Sequence, residues 1–196
     1  MEILRPGDNP YLDQYLELGD NSWERYAARG ALVKKYSWAI PDDTAIRILT
    51  RYPITEIGTG KGYWASLVNK AGGDIQAYDR SYGLGKENRY TDNLKPWYPV
   101  NLLKEKNLIK VVQEAAIAGR TLFLCWPEYN EPWAHQYLDT YIKHKGPRLV
   151  YVGEEHGGCC ADDAFHELLD NYPVVESHYI PRWDGINDYL QVVEFY

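Results

Sequence analysis

At 196 residues the chain is long enough for one domain with a sizeable core, or for one domain with an N-terminal extension. No run of about 18 apolar residues occurs, which excludes a membrane-spanning helix, and Met1–Asp8 lacks the apolar stretch of a secretory signal. A net charge of −7 without a Lys/Arg cluster disfavours nucleic acid as a partner but does not exclude it, because a basic groove can sit on an acidic protein.

The first fifty residues read as helical. Tyr11, Leu12, Tyr15 and Leu16 repeat at helical spacing, and Gly19 stops that segment. Asn21 followed by Glu24 resembles a capping box and opens a helix running toward Tyr36. The loop Lys35–Pro41 carries Tyr36 and Trp38. Pro41-Asp42-Asp43-Thr44 then starts a third helix, with Ile46 and Leu49 inward.

From Ile54 the pattern switches to short strands alternating with helices. A strand is expected at 54–57, a helix at about 62–71 ending at Gly72-Gly73, and a second strand at 74–79. Residues 80–100 are rich in Gly, Asn, Pro and Tyr and read as an irregular excursion with a short strand near Val100. A helix near 104–118 presents Leu108, Val111, Val112 and Ala115 on one face, and a strand follows from Thr121 to Trp126.

In the next helix Asn130 is the expected cap and Pro132 sits in the first turn. Ala134, Tyr137, Leu138, Tyr141 and Ile142 form its stripe, and Gly146 ends it. A strand from Arg148 to Gly153 precedes a helix at about 161–171 that is capped by Asp162 and buries Phe165, Leu168 and Leu169. Runs near 173–180 and 188–195, joined through Arg182-Trp183-Asp184-Gly185, read as an antiparallel pair. The order implies an α/β protein: a mostly parallel, Rossmann-like sheet of seven strands with helices on both faces, a terminal antiparallel hairpin and an N-terminal helical extension. Residues 1–50 would form the extension and 51–196 the ligand-binding domain.

Three cysteines match neither a zinc site nor a disulfide framework, so no metal is expected and a reducing, cytoplasmic setting is the default. Cys125, inside Leu122-Phe123-Leu124-Cys125, reads as a buried small hydrophobe.

The chemistry concentrates in Ile54-Thr55-Glu56-Ile57-Gly58-Thr59-Gly60-Lys61-Gly62-Tyr63-Trp64 and in Ala77-Tyr78-Asp79. Glycines at alternate positions let the backbone turn sharply and leave room for a ligand at a helix N-terminus. A dinucleotide loop needs Gly-x-Gly-x-x-Gly/Ala, and its third position here is Tyr63. A phosphate-cradling P-loop needs a glycine where Thr55 stands, and Ser or Thr where Gly62 stands. Glu56 would repel pyrophosphate and suits a cation. Asp79, at the tip of the second strand, suits a ribose diol. Ligands of such sheets bind outside the carboxyl ends of the strands, which picks out Glu56–Gly62, Asp79, Trp126–Asn130 and Gly153–Ala161.

This loop resembles the cofactor loop of class I methyltransferases that use S-adenosylmethionine, and loop plus topology cover roughly residues 36–196. In that family the last strand inserts antiparallel beside the fifth. The resemblance implies that Gly58, Gly60 and Gly62 pass under the methionine part of S-adenosyl-L-methionine, that Glu56 faces its amino group and that Asp79 holds the ribose hydroxyls. Lys61 reads as a solvated side chain. Tyr63 and Trp64 either wall the pocket or pack beneath it.

Amino-group methyltransferases carry Asp/Asn/Ser-Pro-Pro-Tyr/Phe/Trp after the fourth strand. Here Trp126-Pro127-Glu128-Tyr129 keeps one proline and the aromatic but lacks the polar first residue. Trp126 and Pro127 are assigned to the cofactor pocket by position, although Pro127 also serves simply to end the strand. After the fifth strand, His156 and Glu155 are the candidate general bases, with solvated carboxylates at Glu154 and Glu155 as the plain alternative. His144 and His166 read as surface. The runs Leu122–Pro127, Leu149–Glu154 and Ala161–Leu168 are also similar to a little-characterised branch of methyltransferase-like proteins, from which no acceptor carries over.

The implied function is methyl transfer from S-adenosylmethionine to a small molecule bearing a hydroxyl or amine. The alternatives are a non-catalytic S-adenosylmethionine-binding or regulatory protein, an aminopropyl transferase and, last, a nicotinamide oxidoreductase.

Overall fold

In the computed structural model, which describes residues 3–80 and 95–196, Ile54–Ile57 forms β1, an inner strand of the sheet buried at all four positions. A strand covered on both faces tolerates a near-continuous apolar run. Its neighbours β2 (Ile75–Arg80) and β4 (Thr121–Cys125) pair with it in parallel, joining Ile54 to Ile75 and Ile54 to Thr121. Strands β3 (Asn101–Leu103) and β5 (Arg148–Gly153) extend the parallel sheet outward. Strand β7 (Tyr189–Glu194) inserts antiparallel beside β5, and β6 (Val174–Tyr179) closes the edge, giving the order β3-β2-β1-β4-β5-β7-β6. This is the expected Rossmann-like sheet with its terminal hairpin. The short strand expected near Val100 is β3, and the rest of the irregular excursion lies partly outside the described residues.

Side-chain alternation sorts the sheet into two cores. Phe123, Val150, Val152, Leu190 and Val192 face one side, together with α1 (Pro10–Glu17), α2 (Ser22–Lys35), α3 (Asp43–Leu49) and α4 (Tyr63–Lys70). Leu122, Leu124, Leu149, Tyr151 and Val193 face the other, under α5 (Glu105–Ile117), α6 (Trp133–Lys143) and α7 (Asp163–Leu169). The N-terminal helices therefore share one apolar cluster with the sheet. Among the described residues no helix is long and apolar enough to cross a membrane.

Side-chain caps set several helix starts. The Oδ1 of Asn21 accepts from the N–H groups of Trp23 and Glu24, Asp42 accepts from Ala45 and Asp162 accepts from Phe165. Asn130 does not cap α6, contrary to expectation. It sits at φ +57 and donates its N–H to the Ala161 carbonyl, so the helix starts only at Trp133. Leu168, expected to be buried, is half-buried, and Leu16 of the first helical repeat is exposed.

Candidate functional site

The loop after β1 is held by the end of β2: the N–H groups of Gly58 and Thr59 both donate to the Tyr78 carbonyl. Its three glycines all have positive φ, and each serves a different purpose. A Cβ on Gly58 would lie 3.0 Å from the Trp133 indole. One on Gly62 would lie 2.9 Å from the Tyr98 Cβ, so Gly62 answers to packing and does not line the cavity described below. One on Gly60 would meet nothing within 4 Å. The loop is open to a ligand there.

Asp79, 6% exposed, aims its carboxylate back at this loop. Its Oδ2 accepts from the Gly60 N–H at 2.6 Å and its Oδ1 from the Arg80 N–H at 2.6 Å. Burial nevertheless pushes its pKa up to about 6. Glu56, on the neighbouring strand, is 2% exposed, and its Oε2 has no hydrogen-bond partner. Burial, reinforced by the Asp79 charge, raises its pKa to about 8.

These residues line one cavity open to solvent. Its far wall comes from the C-terminal end of α2 and the following loop, through Val33, Tyr36 and Trp38. Trp133 and Tyr137 of α6 close another side. One more buried polar atom among the lining residues lacks a partner, Trp64 Nε1, while the Thr59 hydroxyl lies toward Glu56 and moderates its raised pKa. Unsatisfied buried polar atoms are costly, and their gathering around one cavity marks a place where a polar ligand restores hydrogen bonds.

Tyr63 and Trp64 divide the two roles left open for them. The Tyr63 hydroxyl donates to Asn9 Oδ1 and accepts from the Tyr11 N–H, packing beneath the N-terminal helices. Trp64 lines the cavity while leaning on Phe123. Lys61 is not solvated: it is buried, and its Nζ donates to the Lys34 carbonyl at the end of α2. A cation there also complements the helix dipole. Cys125 lines the cavity and is not a fully buried core residue.

Beyond β4 the chain turns through Trp126 at φ +52, a left-handed conformation rare for bulky residues. Surrounding contacts fix it there. The Trp126 N–H donates to the Val152 carbonyl, its indole Nε1 donates to Asp188 Oδ1 at 2.7 Å, and its ring stacks on Trp38 at 5.1 Å and 10°. Asp188 is 1% exposed, and burial raises its pKa to about 7. Pro127 lies outside the cavity lining; its carbonyl accepts from the Ala161 N–H and binds the loops after β4 and β5 together. Glu128 lines the cavity, with its Oε2 accepting from Trp133 Nε1 at 2.9 Å.

A second cavity adjoins the first and shares Trp38, Trp126 and Glu128 with it. Neither Glu155 nor His156 lines either cavity; both are exposed. The His156 ring lies 3.2 Å from Asp163 Oδ1 and stacks on His166. His166 is buried rather than on the surface, with Nε2 at 2.9 Å from the Cys160 carbonyl. Glu154 is buried too: its two carboxylate oxygens accept from the N–H groups of Cys159 and Asn187. The site thus draws on residues to which local pattern gave no role, namely Trp38, Trp133 and Asp188, while Glu128 falls in the Trp126–Asn130 stretch that the strand-end rule picks out.

The buried acids predict a pH dependence. Their folded pKa values, about 6 for Asp79, 7 for Asp188 and 8 for Glu56, stand above the ordinary values near 4. The native state therefore holds more protons than the unfolded state between roughly pH 4 and 8. The resulting stabilisation is complete below that window and is lost as pH rises through it. The melting temperature of the ligand-free protein is expected to fall from pH 5 to pH 8, and Glu56→Gln to flatten the upper part of that slope. A slope unchanged in the variant would show that the carboxyl is not held protonated.

No family model matches the chain, and no curated protein matches it. Among solved structures it aligns with an O-methyltransferase family protein from Burkholderia thailandensis at 11% identity and TM-score 0.49, over 92% of this chain and 62% of that one. Human N-acetylserotonin methyltransferase, in complex with S-adenosylmethionine, aligns at 10% identity and TM-score 0.47, over 98% and 64%. A Streptococcus agalactiae protein of the NAD-binding Rossmann superfamily aligns at 13% identity and TM-score 0.48, over 80% and 69%. The chain spans less than two thirds of the length of the two methyltransferases. All three alignments stay below a TM-score of 0.5, and the fold rests on the strand order and registers above.

Proposed function

We propose that the protein is an S-adenosylmethionine-dependent methyltransferase. The observation that carries this reading is the pairing of Glu56 and Asp79 at the carboxyl ends of adjacent strands, in one cavity, with a glycine between them that opens onto empty space. The buried Glu56 oxygen without a partner suits the ammonium of the methionine part. Asp79 retains acceptor capacity for ribose hydroxyls after its two backbone bonds. Thr59 and Trp64 offer further polar contacts. When bound, S-adenosylmethionine supplies a methyl group already activated on a sulfonium.

This chain's residues then have little left to do beyond orienting an acceptor, excluding water and taking up a proton. Trp38 and Trp126 form an apolar screen that lines both cavities. Among the described residues Glu128 is the one carboxylate that lines both, and Trp133 orients it, which makes it the group best placed to accept a proton from an acceptor hydroxyl or amine. A protein that only binds the cofactor has no use for the adjoining second cavity, which favours transfer. The net charge of −7 favours a small-molecule acceptor over nucleic acid.

Calorimetric titration with S-adenosylmethionine, S-adenosylhomocysteine, NAD and ATP tests the reading. The first two are expected to bind, and at a hundred times their dissociation constant to add about 2.7 kcal/mol of apparent stability. Binding of NAD in their place would overturn it.

A further inference from the structure

The two edges of the sheet differ. β3 is three residues long, and short edge strands resist pairing with another chain. β6 is six residues long and contains neither lysine nor proline, and no described strand lies beyond it. It exposes Val174, Val175 and Tyr179 at 47%, 51% and 77%. Its acid and its histidine are already engaged within the chain, Glu176 with Arg51 at 2.7 Å and His178 with Asp42 at 2.8 Å.

The backbone of β6 also has an unused side. The Phe195 N–H donates to the Pro147 carbonyl, toward β5, and the Glu194 N–H to the Pro173 carbonyl, toward β6. Hydrogen-bonding groups alternate in direction along a strand. Val192 and Leu190 therefore face β6 as Glu194 does, and Glu176 and His178 opposite them face back. Ser177 and Tyr179 are left with N–H and C=O groups turned to the open edge. A register shift between Val174 and Glu176 falls before this stretch.

We infer that β6 pairs antiparallel with β6 of a second copy of the chain, about a two-fold axis at Ser177, joining the two sheets into one. An isologous contact must be complementary to itself. Centring on Ser177 sets Glu176 of one copy opposite His178 of the other, and Val175 opposite Tyr179. An acid meets a base and a β-branched residue meets an aromatic, each twice, and such cross-strand pairs stabilise a sheet. Arg51 and Asp42, behind them, keep the signs of charge alternating across the seam. Centring on Glu176 would set that carboxylate against itself, and centring between Glu176 and Ser177 would set Val175 against His178. A seam of one short strand is small beside the roughly 800 Å² per partner of a stable complex, so the dimer forms reversibly in the micromolar range. None of these β6 residues lines the cofactor cavity, and the inference stands apart from the methyltransferase reading.

Sedimentation equilibrium of the full chain, from low micromolar to near-millimolar concentration, is expected to show the mass rising from 22.7 kDa toward twice that value. Val175→Lys combined with Tyr179→Lys should hold the monomer mass with an unchanged circular dichroism spectrum, since both side chains are exposed. Cross-linking reads the register, in a Cys159→Ser background that removes the exposed cysteine. A short bismaleimide should link Ser177→Cys to its own copy. It should not link Tyr179→Cys, whose two copies stand four residues apart along the seam, about 14 Å. A chain that stays monomeric throughout, leaving the edge to solvent or to another protein, would overturn the inference. So would a dimer that survives the two lysines, or linking through Tyr179→Cys as efficient as through Ser177→Cys.

Discussion

Replacing Gly60 with valine is expected to weaken S-adenosylhomocysteine binding by about a hundredfold or more, roughly 3 kcal/mol. Two effects add. Gly60 sits at φ +58, where a β-branched residue is strained by about 1–3 kcal/mol. Its Cβ would project into the open space beside Asp79 and Glu56, which the ligand needs. Gly119→Val separates the two. Gly119 lies just past α5 at φ +67, equally open on its Cβ side, and does not line the cavity. Both variants should lose stability in denaturant unfolding, but only Gly60→Val should lose the ligand in calorimetry. Equal affinity in the two variants would mean that the loop never approaches the ligand.

Asp79→Ala should cost on the order of 2–4 kcal/mol of S-adenosylhomocysteine affinity, the worth of two hydrogen bonds to a charged group. The fold should survive. The carboxylate is already held at an unfavourably raised pKa, and the N–H groups of Gly60 and Arg80 that it accepts from border the open cavity. Asp79→Asn keeps the shape and one acceptor oxygen, so its loss should be intermediate. Unchanged calorimetric affinity in a folded Asp79→Ala protein would remove this residue from the site.

The parts of the molecule legible in the sequence are those decided by neighbours along the chain. The near-continuous apolar runs of β4 and β5, the caps at Asn21 and Asp162, and the switch from helical repeats to short strands at Ile54 all follow from local pattern. The Glu56–Gly60 loop and Asp79 stand out because a close turn and a strand-end carboxylate leave residue signatures. What pattern hides is the fate of polar side chains whose partners are far away. Lys61 is buried because the Lys34 carbonyl awaits it, and Glu154 because it binds the Asn187 N–H. Asp188 is buried because it meets the Trp126 indole. Asn130 has the residue type of a cap, but the Ala161 carbonyl takes its N–H and delays the helix by a few residues.

The left-handed turn at Trp126 has a bearing on the order in which the molecule can mature during synthesis. The indole is anchored by Asp188, and the N-terminal helices that complete the cavity wall are anchored by the same late segment. The Tyr15 hydroxyl donates to the Arg182 carbonyl, and the Trp183 indole donates to the Tyr11 hydroxyl. A nascent chain that has emerged only through β5 holds Glu56, Asp79 and Glu128 but lacks the anchors that Asp188, Arg182 and Trp183 supply. Its first helix is already held by Tyr63 and Tyr36 through Asn9 and Tyr11, but Tyr15 stays uncovered until Arg182 and Trp183 have been made. Ligand capture by a growing chain should therefore switch on abruptly once residues 182–188 can fold back, and not grow gradually as the cofactor loop and its neighbours appear.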